Sequence, residues 1–288
     1  MKRRLALVLL PSLALLPAAA RAQDPHAGHG DDYARKMQHE HAGETPSASG
    51  AATAEPTAEV AAEEVGYATL DGTKVTGYLA RPAGAEGPLP GLIVIQEWWG
   101  LNDNVRAMAR RFAGEGYVAL AVDLYEGKVA ETSEAAYATM TAAMERPDRL
   151  TENLRQAHAY LKQQAGATKI GVVGWCFGGG WSLRTALELG DGIDAAVMYY
   201  GRTIDDPAEL GRLSAPLLGL FGGQDQGIPV EGVRAMEKAL GELGKSATIV
   251  VYENADHAFA NPSGQRYDEA AASDAWQKTT AFFAEHLK

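Results

Sequence analysis

The sequence predicts an α/β domain: a mostly parallel central sheet with helices on both faces, preceded by an antiparallel hairpin. Short runs that are apolar throughout, as buried parallel strands are, alternate with amphipathic stretches. The hairpin is predicted from Asp71-Gly72, a pair that favours tight turns, between the strand-like runs 67–70 and 75–79.

Six further strands and six helices are predicted along the rest of the chain. The strands span 92–96, 118–124, 170–174, 195–200, 216–221 and 248–252. The helices span about 104–115, 133–144, 147–164, 178–189, 230–240 and 267–287. Because helices separate the strands, the strands run parallel and their carboxyl ends meet at one edge, where such sheets bind ligands.

Residues 1–22 have the organisation of a secretory signal peptide. A basic start is followed by a leucine-rich middle and by Ala20-Arg21-Ala22, a small-x-small cleavage site. A retained membrane anchor fits less well, because Pro11 and Pro17 interrupt the apolar stretch, which is shorter than the roughly 20 residues that span a bilayer. We therefore expect a secreted, periplasmic protein.

Residues 23–64 are poor in large apolar side chains, which predicts a disordered tether before a single domain over 65–288. The tether holds four of the seven histidines of the chain: His26, His29, His39 and His41. A histidine-rich tract can bind metal weakly. Metal binding by this tether is therefore one alternative function.

The net charge of the chain limits the kinds of molecule that it is suited to bind. Cleavage after residue 22 removes four basic and no acidic residues, so the formal net charge changes from -11 to -15. Such an acidic protein is not suited to binding nucleic acid or an anionic membrane surface. We expect a small-molecule ligand; the sequence leaves the oligomeric state open.

Cys176 is the only cysteine in the chain, and it directly follows a predicted strand. The run Gly174-Trp175-Cys176-Phe177-Gly178 has the form of the G-x-S-x-G nucleophile elbow with sulfur in place of the hydroxyl. The helix that begins there should favour the thiolate. The alternative is a small buried cysteine that only packs at a tight junction.

Two further strand ends supply partners for a nucleophile, in the chain order of a hydrolytic triad. Asp225 follows the strand 216–221 and His257 follows the strand 248–252. Asp256 is excluded as the acid, since a sequence neighbour cannot readily reach the far ring nitrogen of His257. The backbone N–H groups of Phe177 and Trp98 are the candidates for an oxyanion hole.

Together these residues resemble the dienelactone hydrolases of the α/β-hydrolase fold, over about 65–288. The resemblance rests on six motifs: Gln96-Glu97-x-x-Gly100, Asp123-Leu124-Tyr125, Gly174-x-Cys176-x-Gly178-Gly179, Tyr199-Tyr200-Gly201, Gly223-Gln224-Asp225 and His257-x-Phe259-Ala260. It implies a Cys176–His257–Asp225 triad in which Glu97 holds the resting thiol. A salt bridge from Glu97 to Arg106 or Arg110 is the structural alternative for that carboxylate.

The best-known members of this family open an unsaturated lactone that carries a carboxylate, which an arginine four residues after the histidine holds. This chain has Asn261 at that position. An aromatic pocket for a less polar ester is the alternative, with Trp99, Tyr125, Trp175, Tyr199 and Asn261 as its candidate residues. Aromatic side chains at strand ends also commonly belong to the core.

The sequence thus predicts a secreted cysteine-dependent hydrolase of ester or lactone bonds that acts through an acyl-enzyme. This chemistry requires no cofactor and no metal in the site. Two alternatives stay open: the metal-binding tether, and a catalytically silent binding module of the same fold.

Overall fold

The computed structural model describes residues 30–46 and 55–288, which form eight strands and eight α-helices in the described parts. The strands are β1 (Val60–Leu70), β2 (Thr73–Pro82), β3 (Gly91–Ile95), β4 (Val118–Ala121), β5 (Ile170–Trp175), β6 (Ala195–Tyr199), β7 (Leu217–Gly222) and β8 (Ala247–Tyr252). The helices are α1 (Gly30–Glu40), α2 (Asp103–Gly114), α3 (Ser133–Met144), α4 (Pro147–Gln163), α5 (Phe177–Leu189), α6 (Pro207–Leu210), α7 (Val230–Glu242) and α8 (Glu269–Leu287). The proposed signal peptide, His26 and His29 lie outside the described residues.

All eight strands form one sheet in the order β1-β2-β4-β3-β5-β6-β7-β8. β1 pairs antiparallel with β2 and β2 antiparallel with β4, whereas every pairing from β4 to β8 is parallel. The predicted α/β class, with a hairpin before a mostly parallel sheet, is confirmed. Because the central strands β3, β5, β6 and β7 are buried along their whole length, helices cover both faces of the sheet.

The predicted helix starts are explained by side chains that cap free backbone N–H groups. Asn102 accepts a hydrogen bond from Val105 N before α2, Thr132 caps α3 through Ala135 N, and Asp268 caps α8 through Ala271 N. β4 ends at Ala121, three residues earlier than the predicted strand. Its continuation turns away because Asp123 accepts hydrogen bonds from two backbone N–H groups of the following loop.

Within residues 23–64, which the sequence predicts to be a disordered tether, the structure contains an ordered helix and the start of a strand. β1 begins at Val60, because residues 60–64 pair with the last five residues of β2. α1 is an ordered helix, and it buries Tyr33, Ala34 and Met37 against the domain. Side chains three and four residues apart share one face of a helix, so a polar segment can dock through a few apolar residues.

Among the described helices, none combines the length and the apolar character that a membrane span requires.

Candidate active site

Cys176 lies at the sharp turn between β5 and α5, in a backbone conformation that non-glycine residues rarely adopt. Its φ is 53° and its ψ is -116°. The turn needs glycine on both sides: a Cβ on Gly174 would lie 2.1 Å from Gly178 O, and one on Gly178 would lie 2.4 Å from Gln96 O. This strained turn directs the thiol to the carboxyl edge of the sheet, as a nucleophile elbow does.

The three residues of the predicted triad meet at this edge, and all three are buried. Asp225 Oδ2 lies 2.7 Å from His257 Nδ1, and Asp225 Oδ1 accepts a hydrogen bond from Ile228 N at 2.7 Å. Cys176 Sγ and a ring nitrogen of His257 lie within 4.8 Å of each other. Asp256 instead accepts a hydrogen bond from the backbone N–H of its neighbour His257, at 2.6 Å. The geometry therefore pairs the His257 ring with Asp225.

The electrostatics of this cluster favour a charged thiolate–imidazolium pair. Burial alone would raise the pKa of Cys176, but the adjacent His257 and then His41 lower it, to about 6. Burial would lower the pKa of His257, but Asp225 and Cys176 outweigh it and hold that pKa well above its ordinary value. Each partner thus stabilises the charged form of the other, as in other cysteine–histidine pairs.

The two predicted oxyanion residues flank the thiol on separate elements. Phe177 is the first residue of α5, so its N–H has no acceptor within the helix. Trp98 is fully buried in the turn that follows β3. A carbonyl oxygen bound between these two amides would sit at the amino end of α5, where the helix dipole favours negative charge.

Glu97 is bound by neutral side chains, and none of the described residues forms a salt bridge with it. Tyr200 Oη donates to Glu97 Oε1 at 3.2 Å, and Asn261 Nδ2 donates to Glu97 Oε2. Arg106, one of the two cations considered for this carboxylate, pairs with Glu64. Burial, and then the nearby charge of Cys176, raise the pKa of Glu97 to about 7.

The five pocket candidates fall into two groups. Asn261 contacts Glu97, Trp99 lies 5.0 Å from Trp98 between ring centroids, and Tyr125 lies 5.3 Å from Phe177. Burial and the nearby Cys176 raise the pKa of Tyr125 well above its ordinary value. These three side chains therefore contact other residues of the site, and Tyr125 is near the thiol itself.

Trp175 and Tyr199 differ from the pocket prediction. They are register partners on β5 and β6, so their side chains share one face of the sheet. Tyr199 Oη contacts Ala275 O at 3.1 Å and Thr279 Oγ1 at 2.6 Å on α8. Both aromatic residues line a separate cavity of about 210 Å³ beside α2 and α8. They belong to the core between the sheet and these helices.

Three residues of the site were not predicted from the sequence, and all three come from the amino-terminal segment. Tyr33 Oη lies 3.9 Å from Cys176 Sγ, and Met37 Sδ lies 3.7 Å from the same sulfur. His41 follows, with a ring nitrogen also within 4.8 Å of the thiol. Tyr33, Met37 and His41 recur every fourth residue, the spacing of one helix face, and this is the signal that could have identified them.

His41 is held in place by contacts on every side and is 2% exposed. Its Nδ1 lies 2.7 Å from Glu44 Oε2 and 2.9 Å from Arg266 Nη2, and its ring packs 4.5 Å from Trp98. Arg266 also pairs with Glu40 at 2.8 Å and with Glu44 at 3.2 Å. Burial would lower the pKa of His41, but hydrogen bonding to Cys176 and Glu44 raises it.

The segment therefore covers the thiol, which is 1% exposed. The Cys176 sulfur and one ring nitrogen each from His41 and His257 form a compact group of donors that could hold a metal ion. Tyr33 and Met37 thus occupy positions next to the sulfur that an approaching ester carbonyl would need.

Comparison with known proteins identifies the family. The model of the dienelactone hydrolase family matches residues 75–287. A Salmonella typhimurium protein assigned provisionally as a carboxymethylenebutenolidase is 34% identical over 228 residues, covering 75% of this chain and 84% of its own length. The "Protein usf" of Aquifex pyrophilus is 35% identical over 224 residues, covering 75% of this chain and 96% of its own.

Solved structures agree with this assignment. A Klebsiella pneumoniae protein solved as a provisional dienelactone hydrolase is 31% identical, with a TM-score of 0.71, and covers 79% of this chain and 99% of its own. A dienelactone-hydrolase-like promiscuous phosphotriesterase from metagenomic libraries is 25% identical, with a TM-score of 0.72. It covers 80% of this chain and 99% of its own. With the fold and the matched motifs, these similarities show that the chain belongs to the dienelactone hydrolase family.

Proposed function

We propose that the protein hydrolyses small esters or lactones through a Cys176–His257–Asp225 triad and a thioester acyl-enzyme. The observation that carries the proposal is the buried 2.7 Å contact between Asp225 and His257 beside a thiol whose pKa is lowered to about 6. A nucleophile, its proton carrier and a carboxylate that orients the carrier are the three parts this chemistry requires.

In the first half-reaction, the Cys176 thiolate attacks the carbonyl carbon and forms a carbon–sulfur bond. The negative charge moves to the carbonyl oxygen, which the N–H groups of Phe177 and Trp98 stabilise, a contribution of about 3 kcal/mol per donor in comparable sites. When the oxyanion collapses, the carbon–oxygen bond of the leaving group breaks and His257 gives that oxygen its proton. The alcohol leaves and a thioester remains.

In the second half-reaction, His257 takes a proton from water, and the resulting hydroxide attacks the thioester carbonyl. The carbon–sulfur bond then breaks, which releases the carboxylic acid and restores the thiolate. Asp225 keeps Nδ1 of His257 protonated and the ring oriented throughout. An ester is the favoured substrate over a peptide, because an amide nitrogen is a poor leaving group.

Glu97 has a supporting role in this proposal. Its carboxyl group is fixed by Tyr200 and Asn261 rather than bonded to the thiol. Its raised pKa of about 7 means that it gains charge near neutral pH, where it opposes the thiolate. Glu97 thus adjusts the charge of the resting nucleophile.

The contacts of Asn261 favour an uncharged ester over a lactone that carries a carboxylate. Asn261 bonds Glu97 and accepts from Asn104 Nδ2 at 3.2 Å, so this position presents no cation to a substrate. Productive binding also requires that Tyr33, Met37 and His41 move away from the sulfur. In this proposal the protein acts after export to the periplasm, directed by residues 1–22.

The test is mass spectrometry of the mature chain after incubation with a set of nitrophenyl esters. We expect the mass of one acyl group on the Cys176 peptide, with Cys176→Ala as the control that neither acylates nor turns over. Equal, slow hydrolysis by both proteins would refute the enzymatic proposal and favour a silent binding module.

A further inference from the structure

We propose that His41, Cys176 and His257 bind a divalent ion of borderline softness, of the Zn²⁺ class, and that this ion and an ester substrate exclude each other. The metal site stands on the geometry of the three side chains alone. Only its inhibitory consequence rests on the proposed function, since the ion would occupy the nucleophile and its proton carrier.

The donor atoms are close enough for one ion to reach them all. The sulfur of Cys176 and one ring nitrogen of each histidine lie within 4.8 Å of one another, and all three residues are buried. Zn²⁺ bonds nitrogen at about 2.0–2.1 Å and sulfur at about 2.3 Å, so tetrahedral ligands lie roughly 3.3–3.6 Å apart. The cluster therefore closes around an ion by movements on the order of 1 Å, within the range of side-chain rotations.

Both histidines have the outer partners that zinc-binding histidines usually have. Nδ1 of His41 lies 2.7 Å from Glu44 and Nδ1 of His257 lies 2.7 Å from Asp225. A carboxylate that accepts the Nδ1 proton fixes the tautomer and leaves the lone pair of Nε2 for a metal, as Asp225 does for His257. Nδ1 of His41 also lies 2.9 Å from the donor Arg266 Nη2, so His41 offers its Nε2 lone pair in the tautomer whose Nδ1–H donates to Glu44. In the described parts of the chain, neither buried Nε2 has a hydrogen-bond partner other than the Cys176 sulfur. Two imidazoles thus direct a ring nitrogen toward the same sulfur.

The surrounding charge also favours a cation. Four carboxyl groups, from Glu40, Glu44, Asp225 and Glu97, lie near the cluster, and among the described residues the guanidinium of Arg266 pairs with two of them. Met37 adds a thioether 3.7 Å from the thiol sulfur. A donor set of sulfur and imidazole, without oxygen, suits Zn²⁺ and does not suit Mg²⁺ or Ca²⁺.

Binding needs no change of oxidation state. The ion accepts lone pairs from the Cys176 sulfur and from the two Nε2 atoms, and the proton shared by Cys176 and His257 passes to solvent. The sulfur lone pair is then no longer available to attack a carbonyl carbon, and Nε2 of His257 can no longer carry a proton. Hydrolysis resumes when the ion leaves.

His41 therefore brings the histidine-rich segment into the thiol site of the hydrolase domain. Of the four histidines in the segment, His39 is exposed, His41 reaches the thiol, and the other two lie outside the described residues. His39 is a matched control, because it is the same residue type two positions away on the same segment.

The test uses the chain 23–288, stripped of metal with a chelator and titrated with Co²⁺ as a coloured substitute for Zn²⁺, without substrate. We expect one equivalent of Co²⁺ to produce a sulfur-to-cobalt charge-transfer band in the near ultraviolet, which Zn²⁺ then removes. Cys176→Ser should abolish the band, His41→Ala should weaken Co²⁺ binding at least about tenfold, and His39→Ala should leave it unchanged. Circular dichroism checks that each variant is folded.

A missing band in the folded wild-type protein, or an unchanged Co²⁺ affinity in His41→Ala, would overturn the proposed metal site.

Mutual exclusion of the ion and the substrate is tested by Zn²⁺ inhibition of nitrophenyl ester hydrolysis, expressed relative to the metal-free rate of each variant. We expect about one equivalent of Zn²⁺ to inhibit the wild type and His39→Ala. His41→Ala should need a Zn²⁺ concentration at least tenfold higher for the same inhibition. Undiminished hydrolysis by the Zn²⁺-loaded protein would overturn the exclusion. If no variant hydrolyses any ester, the proposed function fails, but the Co²⁺ titration still decides the site.

Discussion

The acidity of Cys176 is the property on which the proposed chemistry most depends, and replacing His257 by alanine tests its source. The thiol is buried, and burial raises its pKa; the neighbouring His257 is the first of the groups that lower it, to about 6, against an ordinary value of 9.0. That difference of about three pH units corresponds to roughly 4 kcal/mol in favour of the thiolate. We expect His257→Ala to raise the thiol titration toward pH 9, because the group that lowers it most is removed while His41 remains.

The size of the effect is large enough to measure directly. At pH 7, a pKa of about 6 leaves roughly nine-tenths of the thiol ionised, and a pKa of about 9 leaves roughly one-hundredth. Because Cys176 is the only cysteine, the ultraviolet absorbance of the thiolate, measured against Cys176→Ser, reports this group alone. The titration is done in metal-free buffer.

Two controls distinguish the effect of removing the His257 charge from the effect of a general loss of structure. His39→Ala, at an exposed position, should leave the titration unchanged. Glu97→Gln should move it in the opposite direction, to lower pH, because the repulsion that raises the pKa of Glu97 acts equally on Cys176. A wild-type thiol that titrates near pH 9, or a midpoint that His257→Ala does not change, would refute the argument.

Three other changes test the triad, the covering segment and the turn. Asp225→Asn should lower kcat/KM for nitrophenyl acetate by about 10²–10⁴-fold, since the His257 ring loses its orienting carboxylate; an unchanged value contradicts that role. A chain that starts at residue 47 lacks Tyr33 and Met37, which contact the sulfur, so iodoacetamide should alkylate Cys176 faster. An alkylation rate equal to that of the full chain would mean that the segment does not limit access to the thiol. Gly178→Ala should destabilise the fold by about 2 kcal/mol or more, measured by urea unfolding, because its Cβ would lie 2.4 Å from a backbone oxygen; a wild-type midpoint argues against a tight turn.

Much of the sheet was predictable from the sequence because buried parallel strands are apolar along their whole length. β3, β5, β6 and β7 are buried at every residue, and each begins and ends within one or two residues of its predicted bounds. The convergence of Cys176, Asp225 and His257 followed from the same pattern, since parallel strands bring their carboxyl ends to one edge.

The pocket could not be predicted in the same way. A strand that is apolar on both faces gives no pattern that assigns a side chain to one face. Trp175 directly precedes Cys176, the proposed nucleophile, yet it packs with Tyr199 on the side of α2 and α8. A position next to Cys176 in the sequence therefore does not place a side chain in the site.

The amino-terminal segment was missed for another reason. Composition measures whether a segment can form a core of its own, and α1 has too few apolar side chains to do so. Its stability comes instead from a site on the folded domain that receives Tyr33 and Met37. No property of residues 30–46 taken alone describes that site.

The amino-terminal segment that covers Cys176 also affects how readily oxidants react with this thiol. A thiolate reacts with peroxide to give a sulfenic acid, which a second cysteine normally captures as a disulfide before it is oxidised irreversibly. This chain has no second cysteine, and its only thiol is 1% exposed beneath Tyr33 and Met37. In the proposed mechanism the movement that admits a substrate also exposes the thiol to peroxide, so turnover and irreversible oxidation of Cys176 are coupled.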